Sequence, residues 1–181
     1  MGVFRKIFHL LKNYYFIFTK SGVEYARSLG VTIGSDCRVL TSSFGSEPWL
    51  ITIGNKVTIT SGVRLLTHDG ATWLCEDKKG RRYSYKKITI GDNVFIGTNS
   101  ILMPGVKIDH NVIVAAGSVV TKSVPTGVIV GGNPAKIIGS YEDYILRAKE
   151  EYVTKADMDY NKSKKQRINE VVDPKFKDYL N

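Results

Sequence analysis

Only two cysteines, Cys37 and Cys75, occur among the 181 residues. That is too few for a disulfide framework or for a thiolate metal site by themselves, and a reduced, cytoplasmic setting is expected. Histidine is as scarce: His9, His68 and His110 are the whole set. Long apolar runs are missing too. Between Gly2 and Leu29, Arg5, Lys6, Lys12 and Lys20 interrupt the apolar residues, and the longest uncharged stretch, Asn13 to Thr19, is far short of a span. No small-residue cleavage site follows it. Val3, Phe4, Ile7, Phe8, Leu10 and Leu11 fit a helical stripe better than a strand. Residues 1–29 are therefore expected to be a helical segment, either packed on the domain or touching the inner membrane face as a basic amphipathic helix.

What is present is ordinary for a globular chain: 43% hydrophobic and 24% charged residues exclude global disorder. The length suits one domain with a real core. The net charge of +9 is uneven, because residues 1–140 hold 17 Lys/Arg against 8 Asp/Glu whereas residues 141–181 hold 9 of each. A basic body suits an anionic ligand: a nucleotide-like cofactor, an acidic glycan or a membrane surface.

The strongest signal is periodic. From Ile90 an aliphatic residue returns every six positions (Ile90, Ile96, Leu102, Ile108, Val114, Val120), and four residues after each comes a compact one (Val94, Ser100, Val106, Val112, Ser118, Val124). An earlier block keeps the same metre, with Ile53, Ile59 and Leu65 followed by Val57, Val63 and Asp69. A first fragment, Ile33 and Val39 with Cys37 and Ser43, slips by two residues across Gly45 to Trp49. A period of six fits neither a helix nor a long alternating strand. It fits a short strand plus a turn, three of which make a triangular coil of about 18 residues whose stacking buries an aliphatic column. Gly54-Asn55, Gly105, Asn111 and Gly117 suit corners that need positive φ.

Ile90-Gly91-Asp92-Asn93-Val94, Phe95-Ile96-Gly97-Thr98, Ala115 to Lys122 and Val130 to Ile138 together resemble the hexapeptide-repeat acyltransferases, and most of all their galactoside, maltose, virginiamycin and capsular-polysaccharide O-acetyltransferase group. Ser61 to Asp69 looks like the catalytic stretch of that family. The resemblance spans about Gly30 to Ile138. It implies that the all-β core over residues 30–140 is wound as a left-handed parallel β-helix; the break in metre adds an inserted loop at 69–88, and the apolar stripes add an N-terminal helical segment and a C-terminal helical tail over 141–181. It also implies a homotrimer, acetyl-CoA as acyl donor and a carbohydrate acceptor.

His68 stands where the metre breaks, since the repeat resumes only at Ile88 or Ile90. Reactive groups are often set on loops of a rigid scaffold. Acyl transfer to an alcohol needs its proton removed, which an imidazole with its ordinary pKa of about 6.5 can do at neutral pH. His68 is thus the expected catalytic base. Asp69, Glu47 and Trp73 are candidates for acceptor contact, with Asp69 and Glu47 the nearby acids; the family's acceptor-binding Asn has no counterpart here. The resemblance further implies that pantetheine lies along the backbone at Gly97, Thr98, Ala115 and Ala116, and that the cofactor-binding set extends through Thr121 and Lys122 to Lys136, the two lysines meeting the nucleotide phosphates. Cys37 falls at an inward position and no side-chain nucleophile is needed.

Two rivals stand beside this reading. A γ-type carbonic anhydrase shares the coil but needs three histidines on zinc, and His9, His68 and His110 are too scattered to converge; no metal is expected. An inactive β-helix scaffold is the other. The acceptor is expected to be a surface or capsular polysaccharide or its precursor, with a free sugar or an antibiotic as alternatives. Lys78, Lys79, Arg81, Arg82, Lys86 and Lys87 interleave with Tyr83 and Tyr85. Such a pattern can mark nucleic-acid contact, but with no binding module beside it an anionic glycan or CoA is the expected partner. The tail is read as helix to about Tyr160, capping the open end of the coil, and as solvated beyond.

Overall fold

Six-residue spacing closes into a prism because each side holds two inward side chains two residues apart, as Val94 and Ile96 do on one short strand, and the chain bends before and after them. The computed structural model describes residues 21–179, so the expectations for residues 1–20, including membrane contact, lie outside the described part. The chain divides after Glu142 into two units, of which the larger is a parallel β-helix.

Its first face stacks β1 (Thr32–Ile33), β3 (Ile51–Ile53), β8 (Ile88–Ile90) and β11 (Lys107–Ile108). The second stacks β2 (Arg38–Val39), β4 (Thr58–Ile59), β9 (Val94–Ile96), β12 (Val112–Val114) and β14 (Val128–Gly132), and ends on β15 (Ala135–Ser140). The third holds β5 (Arg64–Leu65), β10 (Ile101–Leu102) and β13 (Val119–Val120). Every pairing on these faces is parallel except β14 with β15. Ile33 sits over Ile53, Ile53 over Ile90 and Ile90 over Ile108, so one aliphatic row runs the length of the prism.

All twelve inward positions expected from Ile90 onward are buried, serines 100 and 118 included. Each fully buried Ile or Leu of this column contributes about 1.5–3 kcal/mol relative to exposure. Two earlier positions depart. Asp69 is exposed, because the chain leaves the coil there. In the first coil Ser43 is exposed, and Thr41 and Phe44 take the inner places; the Thr41 hydroxyl donates to the Val63 carbonyl at 2.7 Å. Cys37 is half-buried and packs on the core.

The corner between the first and second faces needs left-handed backbone on every coil. Asp36, Lys56, Asn93 and Asn111 take it, at φ 54°, 53°, 55° and 56°. Asp and Asn tolerate this region and lysine does so less readily. Side chains tie the corner together: the Asn55 backbone N–H donates to Asp92 Oδ1 at 2.6 Å, and the Asp92 N–H donates to His110 Nδ1 at 3.0 Å. The Asn55 backbone bond is the main reason the Asp92 carboxyl is held below its ordinary range.

Helix α1 (Gly22–Ser28) is capped by the Ser21 hydroxyl and buries Tyr25 and Ala26 against the first coil. A Cβ on Gly22 would lie 1.9 Å from the Val39 carbonyl oxygen, so only glycine lets the helix start this close to β2. After the coil, α2 (Tyr141–Glu151) ends well before Tyr160. Thr154 then starts a separate one-turn 3-10 segment with its own capping box, and α3 (Lys164–Asn169) follows within the stretch expected to be solvated. Ser163 and Gln166 cap α3 reciprocally, a local signal sufficient to start a short helix. None of the described helices is long and apolar enough to cross a membrane.

Candidate active site

The insertion leaves the corner between the third and first faces. Thr67 and His68 are the last residues before it, and the returning strand pairs back onto them. Lys86 N–H donates to the Thr67 carbonyl at 2.7 Å, Asp69 N–H donates to the Ser84 carbonyl at 3.0 Å, and His68 faces Tyr85 in an antiparallel bridge. His68 is thus held on extended backbone between two chain segments.

Its imidazole has a partner from the coil below. Glu47 Oε2 lies 2.9 Å from His68 Nδ1 and accepts from the buried Thr67 hydroxyl at 2.6 Å. Burial pushes the Glu47 carboxyl up, but the Thr67 and His68 hydrogen bonds and the imidazole's charge outweigh it, and the group sits below its ordinary range. An ionised carboxylate only accepts, so in this contact a neutral ring would carry its proton on Nδ1 and keep the lone pair on Nε2. The Glu47 side chain is 14% exposed and that of His68 41%. The acid is shielded while the ring is open to a reactant. Glu47, expected as an acceptor contact, is therefore placed on the imidazole.

Arithmetic on the coil could have found this pair. The first coil is two residues longer than the regular ones, so Ile33 pairs with Ile53, and the same offset sets Glu47 beneath Thr67.

A cleft of about 380 Å³ opens beside the ring, lined by Leu66, His68, Asp69, Ser84, Lys86 and Thr121 among others. Asp69 reaches it, but its carboxylate accepts from Ala71 N–H at 2.9 Å and caps the 3-10 turn Gly70–Leu74. Lys86 lays its alkyl stem over Gly105, where a Cβ would meet Lys86 Cδ at 2.8 Å and φ is +88°. The positive φ is what favours glycine there, since the lysine stem could move aside. Trp73 is 67% exposed and lies in the capped turn. Cys75 is exposed and does not line the cleft. A larger groove of about 650 Å³ lies around Leu40, Arg64 and Ile101; it holds no group able to act as a base near neutrality.

The expected cofactor residues occupy two different corners. Thr121 is in the wall of the His68 cleft, and the exposed Lys122 follows it. Gly97, Thr98, Ala115 and Ala116 lie at the corner between the second and third faces. There a Cβ on Gly97 would lie 2.5 Å from the Ala116 nitrogen, so the glycine lets two coils stack. The inward Ser100 and Ser118 hydroxyls both donate to the Ala115 carbonyl, at 3.0 and 2.6 Å. Thr98, Ala116 and Gly117 are exposed, and a Cβ on Gly117 would meet nothing within 4 Å. An exposed strip of Thr98, Ala116 and Gly117 therefore runs along this corner. Lys136 is exposed on β15. Among the described residues no group of three or more His, Cys, Asp or Glu could hold a metal ion; His9 lies outside them.

Comparison with known proteins agrees with this architecture. Residues 87–122 match the family model described as bacterial transferase hexapeptide (six repeats). Protein CapG of Staphylococcus aureus is 50% identical over 153 residues, which cover 83% of this chain and 89% of that protein. Galactoside O-acetyltransferase of Escherichia coli is 37% identical over 97 residues, 54% of this chain and 47% of that enzyme, so the chain spans about half its length. The crystal structure of a hexapeptide-repeat-containing acetyltransferase from Vibrio cholerae superposes with a TM-score of 0.54 at 30% identity, covering 62% of this chain and 63% of that one. The repeat, the triangular coil and the extent of the match to CapG establish that this chain belongs to the hexapeptide-repeat transferases, acyltransferases built on a left-handed parallel β-helix.

Proposed function

We propose that the chain transfers an acetyl group from acetyl-CoA to a sugar hydroxyl, of a surface polysaccharide or its precursor, by direct attack with His68 as general base. The observation that carries this reading is the His68–Glu47 pair on the cleft, with Nδ1 at 2.9 Å from the carboxylate. Nε2 takes the hydroxyl proton as the sugar oxygen attacks the thioester carbonyl. Glu47 keeps the ring in the required tautomer and stabilises the imidazolium that forms. His68 then returns the proton to the departing thiolate. Base catalysis of this kind is worth about 10²–10⁴ in rate. Backbone N–H groups of the coil are suited to hold the oxyanion.

In this reading pantetheine lies on the open strip at Thr98, Ala116 and Gly117, and Lys122 and Lys136 meet the nucleotide phosphates. The strip and His68 occupy different corners of one prism. A homotrimer, in which the His68 corner of one subunit faces the strip of the next, would unite them.

Release of CoA, followed with a thiol reagent against panels of sugars and polysaccharides, tests the activity and identifies the acceptor. His68→Ala is expected to abolish turnover while thermal stability and assembly state are retained. Near-normal turnover in that variant would remove His68 from the mechanism.

A further inference from the structure

The insertion does more than frame the cleft. Tyr85 stands opposite His68 in the bridge, its ring centroid 6.2 Å from the imidazole. Tyr83 lies two residues back along the same returning segment. The two rings are parallel within 8° at 6.2 Å. Beyond them the hairpin of β6 (Glu76–Asp77) and β7 (Gly80–Arg81) delivers Arg81, whose guanidinium lies 4.8 Å from the Tyr83 ring centre and 4.5 Å from that of Trp73. An unbroken line of planar groups therefore leads outward from the catalytic ring: Tyr85, Tyr83, Arg81, Trp73.

The line is not core. Trp73, Tyr83 and Tyr85 are 67%, 62% and 54% exposed, a contiguous aromatic surface of the kind that marks a binding face. It is also electropositive. The insertion holds six Lys/Arg against Asp69, Glu76 and Asp77, and the Arg82–Asp77 pair takes out one charge of each sign, which leaves five cations against two acids. Lys86, one of these cations, lines the cleft itself.

We propose that this ladder is a subsite for an extended acidic glycan, running outward from the hydroxyl that His68 activates. The proposal rests on the acetyl-transfer reading and names its acceptor class. Pyranose rings present flat apolar faces that stack on Tyr85, Tyr83 and Trp73, and their carboxylates meet Arg81 and Lys86. A nucleic acid would also value aromatic and cationic groups. The ladder's end on a base positioned for a hydroxyl favours the glycan.

Binding, measured without acetyl-CoA, separates this proposal from the catalytic one. In full-length Trp49→Phe protein Trp73 is the one remaining tryptophan, and its fluorescence reports directly on the outer rung. Probes are oligogalacturonide and hyaluronan di- and octasaccharides, neutral malto-octasaccharide, a single-stranded oligonucleotide, and CoA. The expected result is a fluorescence change with at least one acidic octasaccharide, much weaker with the disaccharides and the neutral chain. Tyr83→Ala and Arg81→Ala should each weaken it about three- to tenfold, with unchanged circular dichroism and unchanged acetyl-CoA affinity. Failure of both acidic octasaccharides to bind would overturn the proposal. So would equal binding of the neutral chain, ladder-dependent binding of the oligonucleotide, or competition by CoA at Trp73. Loss of the acetyl-transfer reading would show separately, as no CoA release with any acceptor.

Discussion

Replacing Glu47 by Gln removes one charge and keeps the shape, so it isolates what the carboxylate does for His68. Glu47 Oε2 accepts from both Thr67 and His68, and a glutamine carbonyl can accept from the same two donors. What it loses is the charge facing an imidazolium. Hydrogen bonds to charged groups contribute about 1.5–3 kcal/mol. The His68 side chain is 41% exposed, so solvent screens the pair and the lower part of that range applies, about 1.5–2 kcal/mol. Expressed in the transition state alone, this is roughly a 10- to 30-fold fall in kcat. The KM for acetyl-CoA should stay unchanged, because Glu47 touches Thr67 and His68 and not the strip proposed for the donor. The same variant has a thermodynamic signature. The Glu47 carboxyl is held below its ordinary value of 4.5, so its contribution to folding is complete above that pH and is lost as pH falls through the lowered value. The melting-temperature advantage of wild type over Glu47→Gln should therefore be flat at neutral pH and shrink only below 4.5. Steady-state kinetics and a pH series of thermal melts suffice. A kcat within twofold of wild type, or a loss carried by the acetyl-CoA KM, would refute the positioning role.

Other outcomes follow from the coil and its corners. Lys122→Ala and Lys136→Ala should weaken CoA more than dephospho-CoA in a binding titration; equal losses would show that neither meets the 3′-phosphate. Gly97→Ala places a Cβ 2.5 Å from the Ala116 nitrogen, and forcing the coils apart should cost about 1–3 kcal/mol, read as a lower melting temperature. Lys56→Asn replaces a lysine at φ 53° by a residue that tolerates that backbone. It should gain about 0.5–1 kcal/mol, or roughly 1–4 °C, without changing activity.

The aliphatic column was legible because inwardness repeats: one rule, applied every six residues from Ile90, selects twelve positions and all are buried. The same rule failed at Ser43, where the chain bulges on its way to Glu47 and Thr41 and Phe44 fill the space instead. His68 was legible as a break in rhythm. Glu47 was named only as one of two nearby acids, beside Asp69, because it is 21 residues away and becomes a neighbour of the ring only when the longer first coil is counted. The aromatic line of the insertion carries no period at all. Trp73 and Arg81 meet through a hairpin turn, and such a contact depends on backbone path rather than on pattern.

The reversal at Gly132 has a consequence for how the molecule ends. A stack of parallel strands has no intrinsic stopping point, because each new layer offers the next one the same unsatisfied N–H and C=O groups. On the second face β15 runs antiparallel to β14 and offers a mismatched edge to a coil arriving from another molecule. On that side growth is halted by a change of polarity rather than by exhaustion of the repeat, and a chain cut before Ala135 would present a template for fibrous end-to-end association.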